Sequence, residues 1–281
     1  MLQDTISALK NQTYLLSKIT VINNSSEDGT LEWLIDEDID HINQPNVGSS
    51  GGQYRALYEA EKLNVDYVWI MDDDVVPKND CLENLVHQAK EDHLLAPLRI
   101  AADGNIFENE PETFNLTNPF KSIWGRIIKK EELRNNSNLV YAEGLTFEGL
   151  FLPKEAITKI GYPEFDFFIH ADDSDYLIRA KRKGYRPALV SNAIMQRQLP
   201  APDLRDKFTW KHYYVIRNII ALDILHGSYL VKKLRPLFYR YSWLKRAQTS
   251  EEKETVRKAF RDGIQYETKP HNKVLKELGI K

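Results

Sequence analysis

The run Tyr67-Val-Trp-Ile-Met71, followed at once by Asp72-Asp73-Asp74, constrains this chain more than any other feature. Apolar, β-branched and aromatic residues over this length read as a buried strand. Three adjacent carboxylates at its end repel one another and are costly to bury without a cation. In an extended segment, residues two apart leave on the same side, so Asp72 and Asp74 present their carboxylates together. That pair suits a Mg²⁺ or Mn²⁺ already carried by a diphosphate. The competing reading is a helix cap or a solvated turn.

The elements around this strand alternate. Leu2, Ile6 and Leu9 predict a helix over residues 3–11, and Ile19-Thr-Val-Ile22 a buried strand ending in the polar turn Asn23–Gly29. Thr30 to Ile35 reads as a helix and Ile39 to Ile42 as a weak strand. Asn46-Val-Gly-Ser-Ser-Gly-Gly52 reads as a loop feeding a helix over 53–63. Glycine there permits a close backbone approach, and the helix start offers free amides. A further helix is predicted from about Asp80 to Lys90. Alternation of this kind implies an open, mainly parallel α/β sheet with ligands at the carboxyl ends of its strands. The turns after residues 22, 42 and 71 would share that edge.

Farther along, residues 103–122 look like a loop region, and Leu145 to Pro153 is apolar and punctuated by glycine. Ala171 to Lys183 reads as a helix closed by Gly184, and Leu189-Val190 as the start of a last short strand. From Trp210 the pattern is helical, and residues 249–281 are mostly charged. These shifts divide the chain into a sheet domain over 1–205 and a helical extension over 206–281. His170-Ala-Asp-Asp-Ser-Asp-Tyr176 places three acids in four positions at a helix start. Capping needs fewer, so one of them is a candidate base for deprotonating a hydroxyl.

Composition narrows the function. A formal net charge of -3 argues against a general nucleic-acid binder. Cys81 is the only cysteine, which excludes an intrachain disulfide and fits a reducing compartment. No apolar run approaches the ~20 residues that span a bilayer, and the first residues lack a secretory pattern. The expected location is the cytoplasm or the inner face of its membrane. Ser228 to Gln248 carries Lys232, Lys233, Arg235, Arg240, Lys245 and Arg246, no acid, and many aromatics. This predicts two short helices broken at Pro236 that lie on an anionic membrane surface. A packed extension with solvated cations is the alternative.

Taken in order, these motifs resemble the large family of inverting glycosyltransferases with a GT-A fold, closest to its rhamnosyl- and galactofuranosyltransferase-like branch. The resemblance rests on Ile19–Gly29, Asn46–Gly52, Trp69–Pro77, Phe147-Glu-Gly149, Phe168–Tyr176, and Tyr213-Tyr214 with Arg217-Asn218. It covers residue 2 to about 220 and implies a nucleotide-binding open sheet flanked by helices, with a helical C-terminal extension. It implies a nucleotide-sugar donor, UDP- or dTDP-linked, a glycan or lipid-linked glycan acceptor, and Mn²⁺ or Mg²⁺ as cofactor. By the same resemblance Asn23 would lie near the base or ribose, and Gly51 and Gly52 close to the donor. Asp72 and Asp74 would bind the metal, Asp73 would face the ribose or sugar, and Asp173, the second acid of the Asp172-Asp173 pair, would be the base. Two departures stand out. The family's opening strand is missing before the first helix. Where the family often has a metal-binding His, the chain has Gln196 and Gln198, for which His170 or His212 could substitute. These departures motivate a second hypothesis, a catalytically weak or truncated paralogue that acts by binding a partner. A nucleotidyltransferase would want a basic, Gly-rich loop after a first strand, and none is visible.

Overall fold

A computed structural model describes residues 1–107, 110–134, 138–200 and 208–280. The predicted alternation is present at the start. Helix α1 (Leu2–Lys10), strand β1 (Val21–Asn23), α2 (Thr30–Asp36), β2 (His41–Asn43), α3 (Gly48–Glu61) and β3 (Tyr67–Ile70) follow in order. The chain then makes β4 (Val75–Pro77), α4 (Cys81–Gln88), β5 (His93–Ile100), α5 (Lys130–Arg134), β6 (Leu139–Tyr141) and β7 (Leu150–Pro153). After α6 (Lys154–Ile160), α7 (Asp172–Arg182) and β8 (Arg186–Arg197), the remainder is α8 (Lys211–His226), α9 (Tyr229–Arg246), α10 (Ser250–Ile264) and α11 (His271–Glu277).

The sheet is mixed, not mainly parallel. Its order is β3-β7-β5-β8-β4, with β6 also on β8. Only the β5–β8 pair is parallel; the β3–β7, β5–β7, β4–β8 and β6–β8 pairs run antiparallel. Chain order misleads here because β7, far along the sequence, inserts between β3 and β5. Sequential alternation reports on connections, whereas neighbours in space set direction. Strands β1 and β2 form a separate parallel pair. β1 and β3 both line one cavity, and neither has a second strand partner among the described residues.

Two cores hold the sheet. Leu94, Leu98, Leu150, Leu152 and Leu189 pack with Ile157, Tyr176 and Leu177 from α6 and α7. Leu95, Phe151, Ala188 and Val190 pack with Cys81, Leu82 and Leu85 of α4. Cys81 is thus a fully buried core residue. The helical extension is not independent: Val215, Ile219 and Leu222 of α8 share a cluster with Ile123, Phe167 and Ile178 of the sheet domain. The expected boundary at residues 205 and 206 lies outside the described residues.

Two local expectations are corrected. Gly48 to Gly52 is the first turn of α3, not a loop. The turn is held from outside: Ser50 donates its N–H to the Phe168 carbonyl (3.1 Å) and its Oγ–H to the Glu164 carbonyl (2.6 Å). Gly48 is required there, since its φ is +76° and a Cβ would lie 2.1 Å from the Phe168 oxygen. Likewise α9 runs unbroken through Pro236. The lost backbone bond is offset by anchoring on both sides of the proline. Arg235 is buried and its Nε donates to both Asp223 carboxylate oxygens (3.0 Å each), while the Tyr239 hydroxyl accepts from the Ile123 N–H (3.1 Å). Arg235 is therefore not one of the surface cations of that helix.

Candidate active site

The strand β3 delivers Asp72, Asp73 and Asp74 to a cavity of about 800 Å³ that β1, α1, α3, Glu148, Ile169, Arg197 and Lys211 also line. The backbone of the acidic tripeptide is pinned. The Thr5 hydroxyl donates to the carbonyls of Asp73 (2.9 Å) and Val75 (2.8 Å), and the Gln198 N–H donates to the Asp74 carbonyl (2.8 Å). Of the carboxylates, Asp72 accepts from Gln53 Nε2 (3.0 Å). Burial, then the charges of Glu148, Asp74, Asp73 and Asp173, push Asp72 up to about 7. Asp74 is raised as well, by burial and then by Glu148, with Arg197 opposing. The tripeptide is a rigid scaffold presenting anions that lack a full set of counter-charges.

The acids of α7 divide into two kinds. Asp175 is neutralised: Arg179 donates to it through Nε (2.9 Å) and through a second nitrogen (2.7 Å), and His226 Nε2 lies 2.6 Å away. That residue is structural. Asp172 and Asp173 have no cationic partner of this kind among the described residues. Burial raises both; the Asp173 charge adds to the rise at Asp172, whereas hydrogen bonds from Ser174 oppose it at Asp173. Asp173 accepts from the Ser174 N–H (2.5 Å) and Oγ (3.2 Å). Asp172 Oδ2 is buried without a hydrogen-bond partner among the described residues. Asp173 acts electrostatically on Asp72 and Asp172 feels it, so the two acidic segments lie near each other, but neither Asp172 nor Asp173 lines the cavity.

The turn leading into α7 is clamped. Phe168, His170 and Ala171 have φ of +64°, +75° and +67°, a region such residues avoid. Asn218 Nδ2, fully buried on α8, donates to the carbonyls of Phe167 (2.9 Å), Ile169 (2.9 Å) and His170 (2.8 Å). Arg217 donates to the Phe167 carbonyl (3.1 Å) and to that of Asp166. The Arg217-Asn218 pair thereby sets where Asp172 and Asp173 begin.

The other expected residues fall as follows. Asn23 lines the cavity, but both ends of its amide are used, donating to Asn43 Oδ1 (2.9 Å) and accepting from the Ser26 N–H (3.1 Å). Gly52 faces the cavity with open space where a Cβ would be, whereas Gly51 is packed against Val47 and Phe165. Gln196 donates to the Ala101 carbonyl (2.7 Å), and Gln198 reaches toward Met1 and Asp4. His212 is buried, bonded to Thr209 and stacked on Phe208 at 4.4 Å. His170 Nε2 is buried without a partner among the described residues, and burial pushes its pKa down to about 4.

Sequence reading missed Glu148 and Arg197. Glu148 accepts from Arg99 Nη1 (2.7 Å) and lies 3.3 Å from Arg197 Nε; both guanidinium groups stand over Phe107. Glu148 lay inside the Phe147-Glu-Gly149 motif without a role. Arg197 was legible from period-two alternation, which turns residue 197 to the opposite side of β8 from Gln196 and Gln198. No three His, Cys, Asp or Glu side chains among the described residues could hold a metal ion. The donor set of Asp72 and Asp74, anionic, hard and short of counter-charge, fits a Mg²⁺- or Mn²⁺-sized cation whose remaining ligands come from a bound diphosphate.

A helix-flanked sheet that leads a strand into adjacent carboxylates, beside a cavity of nucleotide size, is the arrangement that the resemblance to GT-A glycosyltransferases implies. The solved structure of GalNAc-T7 with UDP, GalNAc and Mn²⁺ superposes over 98% of this chain and 55% of that one, with a TM-score of 0.63 at 11% identity. That of Staphylococcus aureus TarS 1-349 in complex with UDP-GlcNAc covers 99% of this chain and 80% of that one, with a TM-score of 0.55 at 14% identity. Residues 1–147 match glycosyl transferase family 2, and the chain belongs to that family. The chain is similar to galactofuranosyltransferase GlfT2 of Mycolicibacterium smegmatis, 24% identical over 206 residues and covering 66% of this chain. The match spans 31% of that enzyme's length.

Proposed function

We propose that the chain transfers a sugar from a UDP-linked donor to a hydroxyl of a glycan or lipid-linked glycan, with inversion and with a divalent cation. The observation that carries this is the acid pair Asp72 and Asp74 on the cavity wall, with a second acid pair, Asp172 and Asp173, behind it and near enough to interact with Asp72. One pair suits a cation and the other suits a proton. UDP and UDP-GlcNAc in the neighbours' structures support the donor class.

In this reading Asp72 and Asp74 hold the cation, and Gln53 keeps Asp72 in place. The cation, when bound, neutralises the departing diphosphate. Arg197 and Lys211 add positive charge at the cavity wall. Gly52 leaves room for the donor, while Asn23 and Asp73 border the base, ribose or sugar. Asp173 takes the proton of the attacking hydroxyl, because a sugar hydroxyl is a poor nucleophile until a carboxylate accepts it. Asp172, buried, short of partners and raised to about 8 by burial and by the Asp173 charge, holds its own proton and leaves Asp173 as the carboxylate that can accept one. Single displacement from the face opposite the diphosphate inverts the anomeric centre.

The acceptor's anchor is read from α9. Tyr229, Leu230, Leu237, Phe238 and Tyr241 are exposed there, and Phe120 packs at a tilt against Phe238, ring centroids 5.6 Å apart. With Lys232, Lys233 and Lys245 nearby, this face suits the headgroup zone of an anionic membrane. Among the described residues, no helix is long and apolar enough to cross one.

The test is calorimetric titration of UDP with and without Mn²⁺, for wild type and Asp74→Ala. Wild type should bind UDP far more tightly with Mn²⁺, and Asp74→Ala should lose that dependence. Equal Mn²⁺ dependence in both proteins would remove Asp74 from the site.

A further inference from the structure

We propose that Glu148 selects the donor sugar: its free carboxylate oxygen takes a hydrogen bond from a hydroxyl of the sugar being transferred and turns away donors whose sugar carries a negative charge. The proposal rests on the glycosyl-transfer reading above and adds to it a residue that decides sugar choice and a class of sugar, neutral and hydroxylated.

Glu148 reaches the cavity because the chain around it is pinned. Strands β3 and β7 pair Ile70 with Leu150, and the register carried two residues further sets Glu148 beside Asp72. The Gly149 N–H donates to the Ile70 carbonyl (3.0 Å), and Trp69 Nε1 donates to the Gly149 carbonyl (2.9 Å). Gly149 has a φ of +98°, and a Cβ there would lie 2.9 Å from both Met195 and Pro97, so this bend needs glycine. Glu148 then lines the donor cavity with its side chain 17% exposed. Burial raises Asp72 and Asp74, and in both the Glu148 charge gives the next push; Asp173, raised by burial, feels that charge as well. The carbon under attack has the diphosphate on one side and the attacking hydroxyl on the other. Its ring therefore lies where a group felt by both the cation pair and the base can touch it.

Pairing with arginine does not use up this carboxylate. Arg99 is buried, and Glu110 already takes two of its hydrogen bonds, from Nε (3.0 Å) and Nη2 (2.5 Å). Glu148 accepts from Arg99 Nη1 through Oε2 (2.7 Å), and the same oxygen is the one 3.3 Å from Arg197 Nε. Oε1 accepts no hydrogen bond among the described residues. A carboxylate oxygen of this kind can only accept, and a sugar hydroxyl supplies the donor. A sugar carboxylate supplies none and meets like charge from Glu148 and Asp73 on the cavity wall. Selection of this sort combines an attractive contact for one substrate with a repulsive one for its competitor.

The experiment titrates UDP, UDP-galactose, UDP-glucose, UDP-N-acetylglucosamine and UDP-glucuronate by calorimetry with Mn²⁺ present, into wild type and Glu148→Gln. The readout is the affinity of the tightest neutral donor divided by that of UDP-glucuronate. In wild type it should be about tenfold or more, and Glu148→Gln should narrow it by about three- to tenfold, since the hydroxyl loses a charged acceptor and the glucuronate loses a like charge. UDP itself should bind the variant no more weakly than wild type. A Glu148 that only holds Arg99 and Arg197 would lower all five affinities together and keep the ratio. If Glu148→Gln loses UDP through misfolding, Glu148→Asp decides by the same ratio: it keeps a carboxylate for Arg99 but draws it back by one methylene, and should also narrow the preference. Equal affinity for neutral and charged donors in wild type overturns the proposal, as does a ratio that the deciding variant leaves in place. Failure of UDP to bind wild type strikes the donor reading and this proposal with it, whereas bound UDP with an unmoved ratio strikes this proposal alone.

Discussion

Asn218→Ala should uncouple the base from the rest of the site. In the native protein one buried amide nitrogen serves three carbonyls within 2.9 Å, those of Phe167, Ile169 and His170. Its two hydrogens are shared, so alanine deletes about two net hydrogen bonds and strands carbonyls away from water. At roughly 1 kcal/mol per bond and 1–3 kcal/mol per desolvated acceptor, the loss is about 2–4 kcal/mol. Opposing the clamp is the strain of Phe168, His170 and Ala171 at positive φ, on the order of 1–3 kcal/mol for each. Strain of that size is released once the clamp is gone, so the turn should move and carry Asp172 and Asp173 with it. A chain of this size loses about 2–4 °C of Tm per kcal/mol, which gives a fall of roughly 4–15 °C. A displacement of about 1 Å at the base corresponds to a rate loss near 10²-fold. Thermal unfolding and UDP release in the presence of an acceptor measure the two effects, and UDP affinity should stay near wild type because Asp72 and Asp74 are held by other contacts. Asn218→Asp, which keeps an acceptor for Arg217 Nε (2.9 Å) but loses the donor, should behave like alanine. Unchanged Tm and unchanged turnover in either variant would refute the clamp.

Three further outcomes are expected. Asp173→Asn should keep UDP binding and lower transfer by about 10²–10⁴-fold, with Asp172→Asn milder; the reverse ranking in initial rates would assign the base to Asp172. Glu164 is buried under Tyr266 and Thr268, and burial, then the Asp175 charge, raises it to about 7 from 4.5. The folded state then binds more protons than the unfolded one between these values, so its contribution to stability, on the order of 1–3 kcal/mol, is present below pH 4.5 and lost as pH rises through about 7; Glu164→Gln should flatten that part of a Tm-versus-pH curve, and an unaltered slope would contradict it. Changing Lys232, Lys233 and Lys245 to Gln should release the protein from anionic liposomes at low salt, at about 1 kcal/mol per charge, and wild type remaining in the supernatant would make the exposed face of α9 something other than a membrane surface.

Much of the site was legible locally. The apolar run before Asp72 sets a strand whose end must be polar, and helical spacing of Leu2, Ile6 and Leu9 sets α1. The acids before Tyr176 mark a helix start. Each of these follows from a period or a run within a dozen residues, and neighbouring residues alone decide it. The tertiary structure decided everything that depends on partners from elsewhere in the chain. It separated Asp175, quenched by Arg179 and His226, from Asp172 and Asp173, which are not. It turned Arg197 to the cavity in place of the glutamines on either side, carried α3 through its glycines and α9 through Pro236, and buried Arg235 against Asp223. The reason is that propensity and periodicity state which face a side chain takes, whereas burial and counter-charge are set by segments that meet only on folding, and those contacts outweigh local preferences of about 1 kcal/mol per glycine and about 3 per proline.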